Sequence, residues 1–227
     1  MQRKNRLYKK LWGIRLFKRQ EVWILTLQGW LVALGVFVCL LLFTITNLHS
    51  FLAINAPLES ADALVIEGWI PDYAIKEAVD ELKNSNYRMI ITTGGDLGKG
   101  TYLTDYKNFA EVSAATLKKI GVDEQKIFTV PAPPVLKDRS YISVVEFRKW
   151  ITRSNLQIKA INLVSWDAHA RRSWLFFKKV LSPEIKVGII ASKSQGYDPE
   201  RWWTSSEGVR TLINELIAYI YAVVFSL

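Results

Sequence analysis

The stretch Ser165-Trp166-Asp167-Ala168-His169-Ala170-Arg171-Arg172 gathers more reactive chemistry than any other part of this 227-residue chain. It follows an apolar run at 160–164 and opens an amphipathic one, so it reads as a turn from a strand into a helix. A helix start favours anions, because its first amides are unpaired and its dipole is positive there. His169 and Arg172 are three residues apart and share a helical face, whereas Arg171 points about 100° away from Arg172. That spacing favours Arg172 as the phosphate ligand of the pair and leaves Arg171 free to salt-bridge elsewhere. Histidine is the side chain suited to acid-base work near neutral pH, so His169 is the candidate acid or base, with a buried hydrogen-bonding histidine as the alternative.

Three more polar clusters border expected elements. Glu67-Gly68-Trp69 follows the first strand; Glu67 could accept from a substrate hydroxyl or orient water, and Trp69 could stack on a sugar. Thr92-Thr93-Gly94-Gly95-Asp96 ends the second strand, where paired glycines allow a ligand close to backbone amides. Glu111 on the next helix is a possible inward partner. Lys137-Asp138-Arg139-Ser140 precedes a helix: Asp138 or Ser140 could cap it, and Arg139 could present its fork to phosphate or carboxylate. The spacing of a zinc site is absent, and an oxygen-ligated divalent cation is the one metal the residues leave open. G-x-S-x-G, G-x-G-x-x-G and G-x-x-x-x-G-K-[ST] are all missing, which disfavours serine-esterase, dinucleotide and nucleoside-triphosphate chemistry.

The elements that must position these residues alternate. Short apolar runs at 63–66, 88–93, 126–130, 160–164 and 186–190 read as strands. Amphipathic stretches at 72–83, 105–120, 140–153, 168–180 and 205–225 read as helices. Strands separated by helices of this length predict an α/β fold: a three-layer α/β/α, Rossmann-like domain with a mostly parallel five-stranded sheet. Ligands in such sheets lie beyond the carboxyl ends of the strands, where all four clusters fall. The twelve residues after Glu215, at 216–227, carry no charge but are too few to span a bilayer, so the final helix is expected to pack on the sheet or graze the membrane with its aromatic face.

The formal charge of +9 first suggests a nucleic-acid partner, but its distribution removes that reading. Residues 1–20 hold eight basic and no acidic side chains, while residues 49–227 carry only +2. Between them, residues 22–48 form 27 consecutive positions without a formal charge. A hydrocarbon core of about 30 Å needs roughly 20 helical residues, so this run predicts one transmembrane helix. Four parts are expected: a basic cytoplasmic arm at 1–21, the anchor at 22–48, a linker at 49–61 and the α/β domain at 62–227. The positive arm orients the anchor with the amino terminus in the cytoplasm and the domain outside, at a bacterial inner membrane. Cys39 is the only cysteine, which excludes an internal disulfide.

The elements LVIEGW, ITTGG, Glu111 before LKKIGV, DRSY and LVSWDAHARRS occur in an order that resembles the bacterial family of unknown-function domains that includes YdcF, SanA and ElyC. The resemblance runs from about Asp62 to the final helix. It implies a Rossmann-like fold and a role in envelope biogenesis, in peptidoglycan, lipid-carrier or surface-polysaccharide metabolism. One member is linked to S-adenosylmethionine, which an extracytoplasmic domain would lack. The resemblance matches Gly94 and Gly95 to the glycine turn, Glu111 to the acidic helix position, and His169, Arg171 and Arg172 to the histidine-arginine motif. Glu67 departs from the commoner glycine-rich first turn, and Arg139-Ser140 stands where an asparagine-threonine pair is usual. Two functions follow as expectations. One is an envelope enzyme, a hydrolase or transferase acting on a phosphorylated glycan or lipid carrier. The other is a non-catalytic sensor or assembly factor that uses the same anion pocket. The implied partners are membrane lipid or a lipid-linked glycan and envelope-synthesis proteins, with no nucleic acid.

Overall fold

The computed structural model describes residues 10–11, 14–15, 23–83, 87–98 and 104–225. Two compact units divide at Thr44: Met1–Thr44 and Ile45–Leu227. Within the first, Lys10–Leu11 pairs antiparallel with Ile14–Arg15. The helix α1, Leu27–Leu52, begins there, and its side chains Leu31, Leu34, Phe37, Leu40 and Phe43 are all exposed. At about 1.5 Å per residue its 26 residues extend about 39 Å, long and apolar enough to cross a membrane. The arm outside the two short pairs lies beyond the described residues.

The second unit is a five-stranded, all-parallel sheet between helical layers. The strands are β1 (Ala63–Glu67), β2 (Met89–Gly94), β3 (Ile127–Pro131), β4 (Ala160–Trp166) and β5 (Lys186–Ser192). They lie in the order β3-β2-β1-β4-β5. The helices are α2 (Asp72–Lys83), α3 (Phe109–Lys119), α4 (Arg139–Ser154), α5 (Ala170–Leu181) and α6 (Ser206–Phe225).

Alternation along β1 divides the core. Ala63 and Val65 join Phe147 and Ile151 of α4 and Phe176, Phe177 and Leu181 of α5. Leu64 and Ile66 join Ala74, Ile75 and Ala78 of α2 and Leu117 of α3. Every residue of β1 and β2 is buried, as strands covered on both faces require. Glu67 continues the odd-numbered set, which aims its carboxylate at the α5 side.

Three boundaries differ from expectation for local reasons. The helix expected from residue 105 starts at Phe109, because Asn108 caps it: its Oδ1 accepts from Glu111 N. The helix expected from residue 168 is preceded by a separate 3-10 turn, Asp167–His169. A second 3-10 turn, Pro199–Thr204, leads into α6.

The segment read as a linker is fastened to the domain. Residues 49–52 are still helical, and Ala56 bridges Ile189 of β5. Asn162, buried on β4, accepts from Leu58 N at 2.8 Å and donates to Leu58 O at 2.9 Å and to the Tyr87 hydroxyl at 2.8 Å. Asn162→Ala strands those polar groups and should cost about 1–3 kcal/mol. Thermal unfolding followed by tryptophan fluorescence checks this, and an unchanged midpoint would show that the strap contributes nothing.

Candidate functional site

Strand order reverses between β1 and β4, and the crevice beyond their carboxyl ends is where open α/β sheets bind ligands. A cleft of about 540 Å³ lies there, within the size range of small-molecule sites. Its wall is built from the ends of β1, β2 and β4, the start of α4, and α5 and α6.

Glu67, the last residue of β1, is 5% exposed. Its carboxylate accepts from Ser165 Oγ at 2.5 Å and from Ser173 Oγ at 2.8 and 2.9 Å, which holds it in one orientation. His169 is also 5% exposed, and its Nε2 lies 4.0 Å from Glu67 Oε1, beyond hydrogen-bond reach. Among the described residues Nε2 has no hydrogen-bond partner. On the other side of the ring, Nδ1 lies 3.0 Å from Glu215 Oε1 and 2.9 Å from Arg172 Nη2. Trp69 packs edge-on against the ring at 4.5 Å between centroids.

Arg172 donates from Nε to Glu215 Oε2 at 3.1 Å and from Nη2 to Oε1 at 3.2 Å. Burial pushes the Glu215 carboxyl upward, but the hydrogen bond and charge of His169, then those of Arg172, outweigh it and bring the pKa to about 2. The resulting carboxylate holds the ring through Nδ1 and leaves Nε2 as the ring nitrogen without a partner among the described residues, the position from which a general base would act. Arg172 therefore borders the cleft with its guanidinium committed to Glu215, instead of being held ready for an anion.

The turn that presents His169 is anchored from behind. Asp167 sits at φ 44, a left-handed conformation uncommon outside glycine. Its buried carboxylate accepts from the Tyr197 hydroxyl and lies 2.8 Å from His49 Nε2. Burial first, and then Asp167, push the Tyr197 phenol far above its usual range, so it stays a donor.

Across the cleft, α4 begins without a side-chain cap. Asp138 holds the cap position at φ 55 and makes no capping hydrogen bond, contrary to the expected cap. Arg139, Ser140 and Tyr141 of the first turn line the cleft. An open helix start with an arginine beside it is suited to a phosphate or carboxylate.

The two glycines of the β2 turn do different work. A Cβ on Gly94 would stand 2.8 Å from Phe109 Cβ and 3.0 Å from Ala110 N, so Gly94 lets α3 approach the sheet. Gly68 serves the same approach, since a Cβ there would meet Phe109 O at 2.3 Å. Gly95 faces open space, and with Asp96 it lines the cleft.

The structure thus brings together Glu67, Trp69, Gly94, Gly95, Asp96, Arg139, Ser140, His169 and Arg172. It does not bring Glu111 or Arg171 there. Glu111 accepts from Lys107 N and Asn108 Nδ2 in a reciprocal cap of α3, and these bonds hold its carboxyl below the usual range. The Arg171 guanidinium lies 3.9 Å over the Phe51 ring, and its Nε donates to Phe51 O. Sequence reasoning missed Glu215 and Ser173, and it singled out the stretch that begins at Ser165 without giving that serine a role. For Glu215 a signal existed: it is the last charged residue of an apolar helix and shares the buried face of Leu212 and Ala222 at spacings of three and seven. Among the described residues no cluster of three or more metal-ligating side chains occurs. No protein-family model matches the chain, and no curated protein matches it.

Proposed function

We propose that the protein is an envelope-biogenesis factor of the YdcF-like kind, anchored by α1 in a bacterial inner membrane with its α/β domain outside. In this reading it hydrolyses or transfers a phosphoryl group on a phosphorylated glycan or lipid carrier. One observation carries the chemistry: His169, oriented by Glu215, shares a cleft with the uncapped start of α4. The orientation rests on the eight basic residues that precede the anchor.

The phosphoryl oxygens sit at the first amides of α4 beside Arg139 and Ser140. His169 Nε2 takes a proton from water as the water oxygen bonds to phosphorus. The bond from phosphorus to the leaving oxygen breaks, and the imidazolium returns the proton to that oxygen. Glu67, held by Ser165 and Ser173, faces the developing imidazolium and stabilises its charge.

The test uses the full chain in lipid nanodiscs with a short-chain polyprenyl pyrophosphate or a sugar 1-phosphate, with phosphate release followed by ³¹P NMR. Cleavage is expected. Arg139→Ala should weaken binding by about tenfold or more, the worth of a charge-assisted hydrogen bond. Tight binding without cleavage would replace the enzyme with the sensor reading, and no binding would sink both.

A further inference from the structure

Helix α6 presents three faces. Glu215, Ala218, Tyr221 and Ala222 wall the cleft. Leu212, Leu216 and Tyr219 pack with Leu48 and Leu52 from the last turns of α1, and Phe51 meets Tyr219 edge-on at 5.6 Å. Between these two faces run Val209, Ile213, Ile217, Ile220 and Val224, spaced four, four, three and four. All five are exposed, Ile217 to 62% and Val224 to 61%. From Leu216 to Phe225 the helix carries no charge. A continuous exposed apolar stripe of this kind marks an interaction surface.

We propose that an anionic lipid bilayer covers this stripe, with α6 lying in the membrane interface and not crossing it. Two observations select lipid as the occupant. The stripe is continuous with the place where α1, the helix able to cross a membrane, joins the domain. On the Tyr219 face of the same helix, a groove formed with Arg171, Trp174, Leu175, Lys178 and Lys179 places cations on aromatic faces, with Lys178 Nζ 4.1 Å over Trp174. Helix α5 supplies three cations to that groove, Arg171, Lys178 and Lys179, and holds no acidic residue; its fourth cation, Arg172, is paired with Glu215. Apolar side chains flanked by Lys, Arg, Trp and Tyr are what the headgroup region of an anionic leaflet accepts. A crossing is excluded because Glu215, in the middle of α6, is held by His169 and Arg172. The proposal does not depend on the chemistry in the cleft.

Spin-label accessibility in the full chain tests it. In a Cys39→Ser background, nitroxides are placed at Ile217→Cys and Ile220→Cys, at Phe37→Cys within α1, and at Gln125→Cys before the edge strand β3. Nanodiscs of phosphatidylcholine are used with and without phosphatidylglycerol. Positions 217 and 220 should favour oxygen over a nickel chelate by about threefold or more relative to 125, and more so with the anionic lipid. Lys178→Glu with Lys179→Glu should reduce the docked population by roughly fivefold per charge removed. If 217 and 220 match 125 while 37 reads as lipid, docking is overturned and the anchor stands. Dipolar broadening between copies at 217 would assign the stripe to a second chain and also overturn the proposal.

Discussion

Replacing His169 with alanine should lower turnover by about 10²–10⁴-fold, the usual worth of a positioned acid-base group. The ring is 5% exposed, held through Nδ1 by Glu215 and backed by Trp69, and its buried Nε2 is the ring nitrogen without a partner among the described residues. Arg139 and the first turn of α4 line the cleft from another element, so affinity for a pyrophosphate ligand should stay within about threefold of wild type. Turnover from single-turnover ³¹P measurements and affinity from calorimetry separate the two effects. Full turnover by His169→Ala would remove the histidine from the mechanism. A parallel fall in affinity would recast it as a binding residue.

Glu215→Ala should destabilise the domain by about 3–5 kcal/mol, because it leaves the Arg172 guanidinium partly buried and without its carboxylate. The same pair makes stability pH-dependent. The folded-state pKa of Glu215 is about 2 against an ordinary 4.5, so its stabilisation is present above the ordinary value and is lost as pH falls toward 2. The depression corresponds to about 3 kcal/mol at most. Glu215→Gln cannot titrate, so the gap between wild-type and variant melting temperatures should be widest above pH 5 and shrink across that window. Parallel curves would mean that the carboxylate contributes nothing to folding through its charge.

The fold was legible because its signals are local. Five apolar runs, separated by amphipathic stretches of one helix length, leave a parallel sheet as the solution, and the all-parallel sheet follows from them. The neighbourhood of the site was legible for a related reason, since Glu67, the β2 turn and His169 each end a strand. What each residue does there was not. The roles of Arg172 and Glu111 depend on partners that spacing cannot supply. Arg172 is taken by a carboxylate 43 positions away, and Glu111 is taken by the cap of its own helix. Gly94 carried a ligand-approach signature, yet the backbone that approaches it, as it approaches Gly68, is α3. Pairing across the fold is invisible to periodicity, which reports only the face a residue occupies.

His49 ties the last turn of α1 to Asp167, two residues before His169, while Leu48 and Leu52 enter the same cluster as Leu212 and Trp202. The compact unit accordingly starts at Ile45, inside the helix that can cross the membrane. A soluble fragment cut at the apparent end of α1 would lose more than its attachment. It would strip the hydrogen-bonded support from the turn that aims the histidine, and a low rate from such a fragment would report that damage. Truncations meant to isolate the chemistry should keep residues 45–52 and interrupt the helix before them.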